Sequence, residues 1–76
     1  MNSDKIVDCK GLFCPMPVVG LNKAIKEIEM GQILEVLATD PASVPDFRAW
    51  TMRTGNELLE SKEEKGVYKF FIRKTK

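Results

Sequence analysis

Between Gly31 and the Asp40-Pro41 pair lies QILEVLAT, residues Gln32 to Thr39, a mostly apolar run that reads as a strand bracketed by turn residues. What flanks it has the other period. Upstream, Val18, Leu21, Ala24, Ile25 and Ile28 fall on one helical face and Lys23, Lys26 and Glu27 fall away from it, which predicts an amphipathic helix from Pro15 to Glu29. Gly31 stands where a C-cap glycine would end that helix. Downstream, Val44, Phe47, Trp50 and Thr54 share a face, predicting a second helix over Val44 to Thr54, opened by a capping box of Ser43 and Asp46 and ended by Gly55. Lys5 to Cys9 (KIVDC) forms a short first strand that ends at a turn around Lys10 and Gly11. Glu57 to Lys62 and Val67 to Lys74 form a final pair joined through Lys65 and Gly66.

The order β-α-β-α-β-β, with right-handed crossovers, puts both helices on one side of a four-stranded mixed sheet: an α/β two-layer sandwich. Ile33, Glu35, Leu37, Val67 and Phe71 then lie on the open sheet face, either as scattered surface hydrophobes or as a docking surface. The basic run of Lys69, Arg73, Lys74 and Lys76 reads as solvated charge on an edge strand more readily than as a patch for an acidic partner.

Seventy-six residues make one domain, residues 1–76. A net charge of +1 argues against direct nucleic-acid binding, and the N-terminus has no long apolar run, so no membrane partner and a cytoplasmic location are expected. The chain has no histidine, which removes the commonest general base and metal ligand, and its two cysteines cannot complete a four-ligand zinc site. No cofactor is expected, and a disulfide framework would need more cysteines. Chemistry is left to thiol, carboxylate, lysine or a partner.

Cys14 is the thiol best placed for it. Pro15 and Pro17 suit a first helical turn, so the Cys14 sulfur is expected at the helix N-terminus, where free amides and the helix dipole lower a thiol pKa. Lys10 adds favourable charge if the turn brings it back. Without histidine, a papain-like arrangement is impossible, whereas exchange between sulfurs needs no water-activating base. Cys9, at a strand end, reads first as a small buried hydrophobe. Met16, between two prolines at a helix tip, reads as exposed and partner-touching.

The motif D-x-x-G-L-x-C-P-x-P, carried by Asp8, Gly11, Leu12, Cys14, Pro15 and Pro17, resembles the signature of the small sulfur carriers of the TusA, SirA and YedF type. The likeness extends over nearly the whole chain, through Gly31 to Pro41, the Trp50 helix, Gly55 and the last aromatic strand. It implies a sandwich similar to the C-terminal domain of bacterial translation initiation factor three. It also implies a sulfurtransferase, a carrier more than an autonomous enzyme, whose Cys14 accepts sulfane sulfur as a persulfide. By the same resemblance the partners are a sulfur donor, cysteine desulfurase or rhodanese, and an acceptor relay protein, with the carrier itself a monomer or weak dimer. Three positions depart from the tRNA-thiolation carriers: Cys9 where cysteine is unusual, Asn56 where histidine is frequent, and Thr39 where a second aspartate often precedes Asp40.

Two other readings differ in class. Cys9 and Cys14 could form a thiol redox switch, provided that their Cα atoms come within about 7 Å. The chain could also be a non-catalytic interaction module in which Cys14 is incidental, with Ala49 and Met52 facing outward on the second helix.

Overall fold

The computed structural model describes residues 2–76 and has the expected order: β1 Lys5–Cys9, α1 Met16–Ile25, β2 Ile33–Ala38, α2 Ser43–Thr54, β3 Glu57–Glu64 and β4 Val67–Arg73. The sheet order is β1-β2-β4-β3. β1 runs parallel to β2, with Cys9 opposite Ala38, and β4 runs antiparallel to both β2 and β3. On one sheet face Leu34, Val36, Ala38, Phe70 and Ile72 meet Leu21, Ala24 and Ile25 of α1 and Phe47 and Trp50 of α2 in a single core. Phe47 and Phe70 pack edge to face, with ring centroids 4.5 Å apart. The helices are tied to each other by the Trp50 indole N–H, which donates to Asn22 Oδ1 at 2.9 Å.

Several boundaries move for visible reasons. α1 ends at Ile25, not Glu29: the last turn tightens, with the Lys26 and Glu27 amides bonding to the Lys23 and Ala24 carbonyls. That change of path still leaves Ile28 buried in the core. Gly31 is therefore no helix cap. Its φ of 89° serves a separate turn, closed by the Gln32 N–H on the Glu29 carbonyl, that delivers the chain into β2. The capping box on α2 is absent as well. Ala42 holds the N-cap position, the Asp40 carboxylate and carbonyl take the Ala42 and Ser43 amides, and the Ser43 hydroxyl is buried without a partner among the described residues. Gly55, at φ 84°, does end α2, and Lys65 and Gly66, both at positive φ, close the β3–β4 hairpin in two residues.

The basic run is not on an edge, because β4 lies inside the sheet. Arg73 pairs with Glu57, and Lys74 Nζ donates to the Ile28 carbonyl at 2.8 Å, so two of the four charges hold the fold together. The edge strand β3 has its own row of exposed charges, Lys62, Glu63 and Glu64, of the kind that discourages edge pairing. The open sheet face is partly covered and partly exposed, with Ile6, 59 % exposed, beside Glu35 in register. Phe71, at 3 % exposure, is sealed between Glu35 and Glu60 in register, with the Lys62 ammonium 5.8 Å from its ring centre. Ile33, Glu35, Leu37 and Val67 are only half-buried around it.

Gly20 explains how close α1 comes to the sheet. Glycine inside a helix costs about 1 kcal/mol relative to alanine, yet a Cβ here would meet Cys9 Sγ at 3.0 Å. Gly20→Ala is expected to lower stability by up to about 2 kcal/mol, because overpacking costs about 1–3 kcal/mol against about 1 kcal/mol gained in helix propensity. Thermal unfolding of Gly20→Ala, Cys9→Ala and the double variant checks this. Removing the Cys9 sulfur should recover the loss, and strict additivity would show that the contact is not its cause.

Candidate functional site

The motif residues build a loop whose shape follows from local chemistry. Asp8 Oδ1 accepts the Lys10 amide at 2.9 Å, an aspartate turn that stops β1. The Leu12 N–H then closes on the Cys9 carbonyl at 3.2 Å, with Gly11 at φ 82°, a backbone angle that L side chains rarely adopt. The Gly11 amide is held by Thr39 Oγ1 at 2.9 Å, and the Cys14 amide by Asp40 Oδ2 at 2.8 Å. Thr39 and Asp40 follow β2, so the end of the parallel neighbour strand fixes the loop that follows β1. Asp40 is shared, since its Oδ1 accepts the Ala42 amide. The Cys14–Pro15 peptide is cis, Pro15 caps α1, and Pro17 is buried.

Cys14 is exposed, and its thiol donates to Asp46 Oδ2 on α2 at 3.3 Å. A shallow groove of about 230 Å³ opens beside it, walled by Pro15 and Val18 of the first helix and by Asp46, Ala49 and Arg53 of the second. The last three are spaced i, i+3, i+7 and share one helix face. Phe13, 76 % exposed, and Met16, 49 % exposed, flank the cysteine, and Leu12 and Val19 are exposed close by in the chain. Large apolar side chains are exposed elsewhere too, Ile6 on the open sheet face and Met30 and Met52 among them.

The electrostatics reverse the expectation for Cys14. Its pKa is raised, first by the hydrogen bond to Asp46, with the charges of Asp46 and Asp40 acting in the same direction. The two prolines that make a good helix start also remove its donors. Pro15 and Pro17 have no amide hydrogen, and the Met16 N–H is already spent on the Phe13 carbonyl at 2.8 Å. Few amides are left to stabilise a thiolate. Lys10 does not supply the missing charge, because its ammonium lies 3.8 Å from Asp8.

Cys9 is 2 % exposed within the core against Gly20, and burial, followed by the Asp8 charge, raises its pKa. Both thiols are free: one packs beneath α1 while the other reaches α2 outside the core. Asn56 is also buried, and both its amide oxygen and its amide nitrogen are hydrogen-bonded. Its Oδ1 accepts the Thr75 and Lys76 amides, and its Nδ2 donates to Thr54. Sequence reasoning missed Thr39, Asp40, Asp46 and Arg53 as site residues, because their contacts with the loop span 26 to 32 positions or cross between helices. Thr39 and Asp40 stood out in the sequence as a departure from the tRNA-thiolation carriers, and Asp46, three residues after Ser43, fitted a helix cap equally well.

Among the described residues no cluster of three potential metal ligands occurs, and no helix is long and apolar enough to cross a membrane. A family model described as sulfurtransferase TusA matches residues 5–74. The chain is 51% identical over 74 residues to YrkI of Bacillus subtilis, covering 97% of this chain and 99% of that one. It is 49% identical over 72 residues to the sulfur carrier protein TusA of Allochromatium vinosum, covering 95% of each. Among solved structures, the SirA-like protein of Desulfitobacterium hafniense superposes with a TM-score of 0.81 at 26% identity, over 95% of this chain and 99% of that one. With the family model and these near-full-length relatives in agreement, the chain belongs to the TusA family of sulfur carriers.

Proposed function

We propose that Cys14 is the sulfur-bearing residue of this carrier, that residues 1–76 act as one carrier domain, and that the loaded form is a Cys14 persulfide. The observation that carries the reading is the placement of Cys14, an exposed thiol at the tip of a loop, beside an open groove and flanked by exposed Phe13 and Met16. Asp8, Gly11, Pro15 and Pro17 shape and end that loop, while Lys10 is neutralised by Asp8. Met16 offers apolar contact to a partner. The Cys14 sulfur, once deprotonated, attacks the terminal sulfur of a donor persulfide. The donor S–S bond breaks, the new S–S bond forms on Cys14, and the donor leaves as a thiolate that takes up a proton. No net oxidation occurs. Handing the sulfur to an acceptor thiol repeats the exchange in the other direction.

The donor is a protein of the cysteine desulfurase or rhodanese type, and the acceptor is a relay protein. Apolar side chains around the sulfur suit a protein partner, since they would otherwise stay in water. Incubation with a cysteine desulfurase and cysteine, or with polysulfide, followed by weighing under non-reducing conditions, tests the reading. The expected result is a gain of one sulfur atom that a reductant removes. A chain that gains nothing from either source is not a persulfide carrier.

A further inference from the structure

We propose that Asp46 is a positioning residue that holds Cys14 as a neutral, hydrogen-bonded thiol in the empty carrier and so suppresses its reactivity between loadings. The inference deepens the reading of Cys14 as the carrier sulfur, but its test needs no sulfur transfer.

The geometry comes from two segments that converge on one residue. Asp40 Oδ2 fixes the Cys14 backbone through its amide at 2.8 Å, and Asp46 Oδ2 receives the thiol proton at 3.3 Å. A carboxylate can accept from a thiol but cannot donate to a thiolate, so this contact survives only while the sulfur keeps its proton. Deprotonation would set two negative charges against each other. The charged groups around the sulfur offer little relief. On the β1–α1 loop, Lys10 is paired with Asp8. On the β2–α2 junction stands Asp40, a second carboxylate. The first turn of α1 (Met16 to Val19) has no charged side chain. On α2, Arg53 lines the groove two turns beyond Asp46, without an ion pair among the described residues. The upward direction of the Cys14 pKa agrees with this arrangement.

A carrier needs such restraint. A low-pKa, solvent-facing cysteine is the type most readily oxidised or alkylated by small molecules, and this one is exposed at a loop tip. Holding the proton leaves the sulfur quiet until a partner displaces the Asp46 contact.

The test is the pH profile of iodoacetamide alkylation at Cys14, read by mass, on the folded chain. The wild-type midpoint should lie above that of a free cysteine peptide and should fall toward it as added salt screens the exposed carboxylates. Asp46→Asn should lower the midpoint and speed alkylation at pH 7. For each unit by which the pKa falls, thiolate rises about tenfold and its nucleophilicity drops about threefold, a net gain of about threefold. Asp46→Glu, which restores the charge, should remain slower than Asp46→Asn, a difference that a purely structural role would not produce. A wild-type midpoint at or below the free peptide overturns the proposal even if every variant misfolds. So does an Asp46→Asn chain that is folded and reacts no faster. If these profiles behave as expected while the carrier gains no sulfur, the persulfide reading fails and the role of Asp46 stands.

Discussion

A Cys14→Ser chain offered a desulfurase and cysteine is expected to gain no sulfur, while a Cys9→Ala chain gains as much as the parent. The asymmetry follows from where the two sulfurs sit. Cys14 is exposed at a loop tip, and its serine replacement keeps the hydrogen bond to Asp46 while removing the atom that must form the new S–S bond. Cys9 is buried at 2 % exposure beneath α1, so a partner sulfur has no access to it; its pKa, like that of Cys14, is raised, here by burial first and Asp8 second. Alanine is the proper control at Cys9, since serine would bury a hydroxyl at a cost of about 1–3 kcal/mol if it found no partner. Weighing each chain before and after a reductant gives the answer. Loading that persists in Cys14→Ser, or that disappears in a folded Cys9→Ala chain, would move the carrier sulfur to Cys9. A redox switch predicts a different outcome, a loss of two hydrogens in the oxidised parent that requires both cysteines.

Trp50→Ala is expected to cost the fold about 4 kcal/mol, within the range of about 3–5 for truncating a buried Trp. Trp50 is 1 % exposed and belongs to the core cluster with Phe47 and Phe70. Its loss also leaves Asn22 without the indole N–H that ties α1 to α2. A chain of this size has about 4–11 kcal/mol in all, so the variant should melt roughly 15–30 °C lower, at about 4–8 °C per kcal/mol. Far-UV circular dichroism is the measurement, because Trp50 is the sole tryptophan and the tryptophan signal vanishes with it. Trp50→Phe should lie between the two, keeping much of the packing and losing the hydrogen bond. A drop below about 1 kcal/mol for Trp50→Ala would mean that the two helices are not held through this side chain. The site would suffer with the fold, since Asp46, Ala49 and Arg53 stand on the same helix.

The features legible in the sequence were those set by local chemistry or strong periodicity. KIVDC ends as a strand where Asp8 turns back on Lys10, Gly55 ends α2 in the left-handed region, and Lys65-Gly66 makes the hairpin, each through neighbours in the chain. Gly31 misled because a positive-φ glycine after a helical pattern serves a helix end and a separate turn equally well. The end of α1 depended on Ile28 meeting the core, a tertiary fact. At the site, proline spacing correctly put Cys14 just before a helix, but the inferred acidity counted amides that proline does not possess. Asp46 was visible as a residue type suited to a first helical turn. Its partner was not visible, because Cys14 reaches it only when α2 lies beside α1.

The grouping of Phe13, Met16 and Cys14 at one end of the molecule has a kinetic consequence. On the reading of Cys14 as the carrier sulfur, the protein that gives sulfur and the protein that takes it must each reach the same exposed thiol, flanked by Phe13 and Met16. Two proteins that must each bring a sulfur to that one atom cannot do so at once. On the reading of Cys14 as the carrier sulfur, transfer through this chain is ping-pong: the donor must leave before the acceptor can bind, and excess of either protein inhibits the other. Throughput is then governed by how fast the first complex comes apart, which makes tight binding to either partner a handicap.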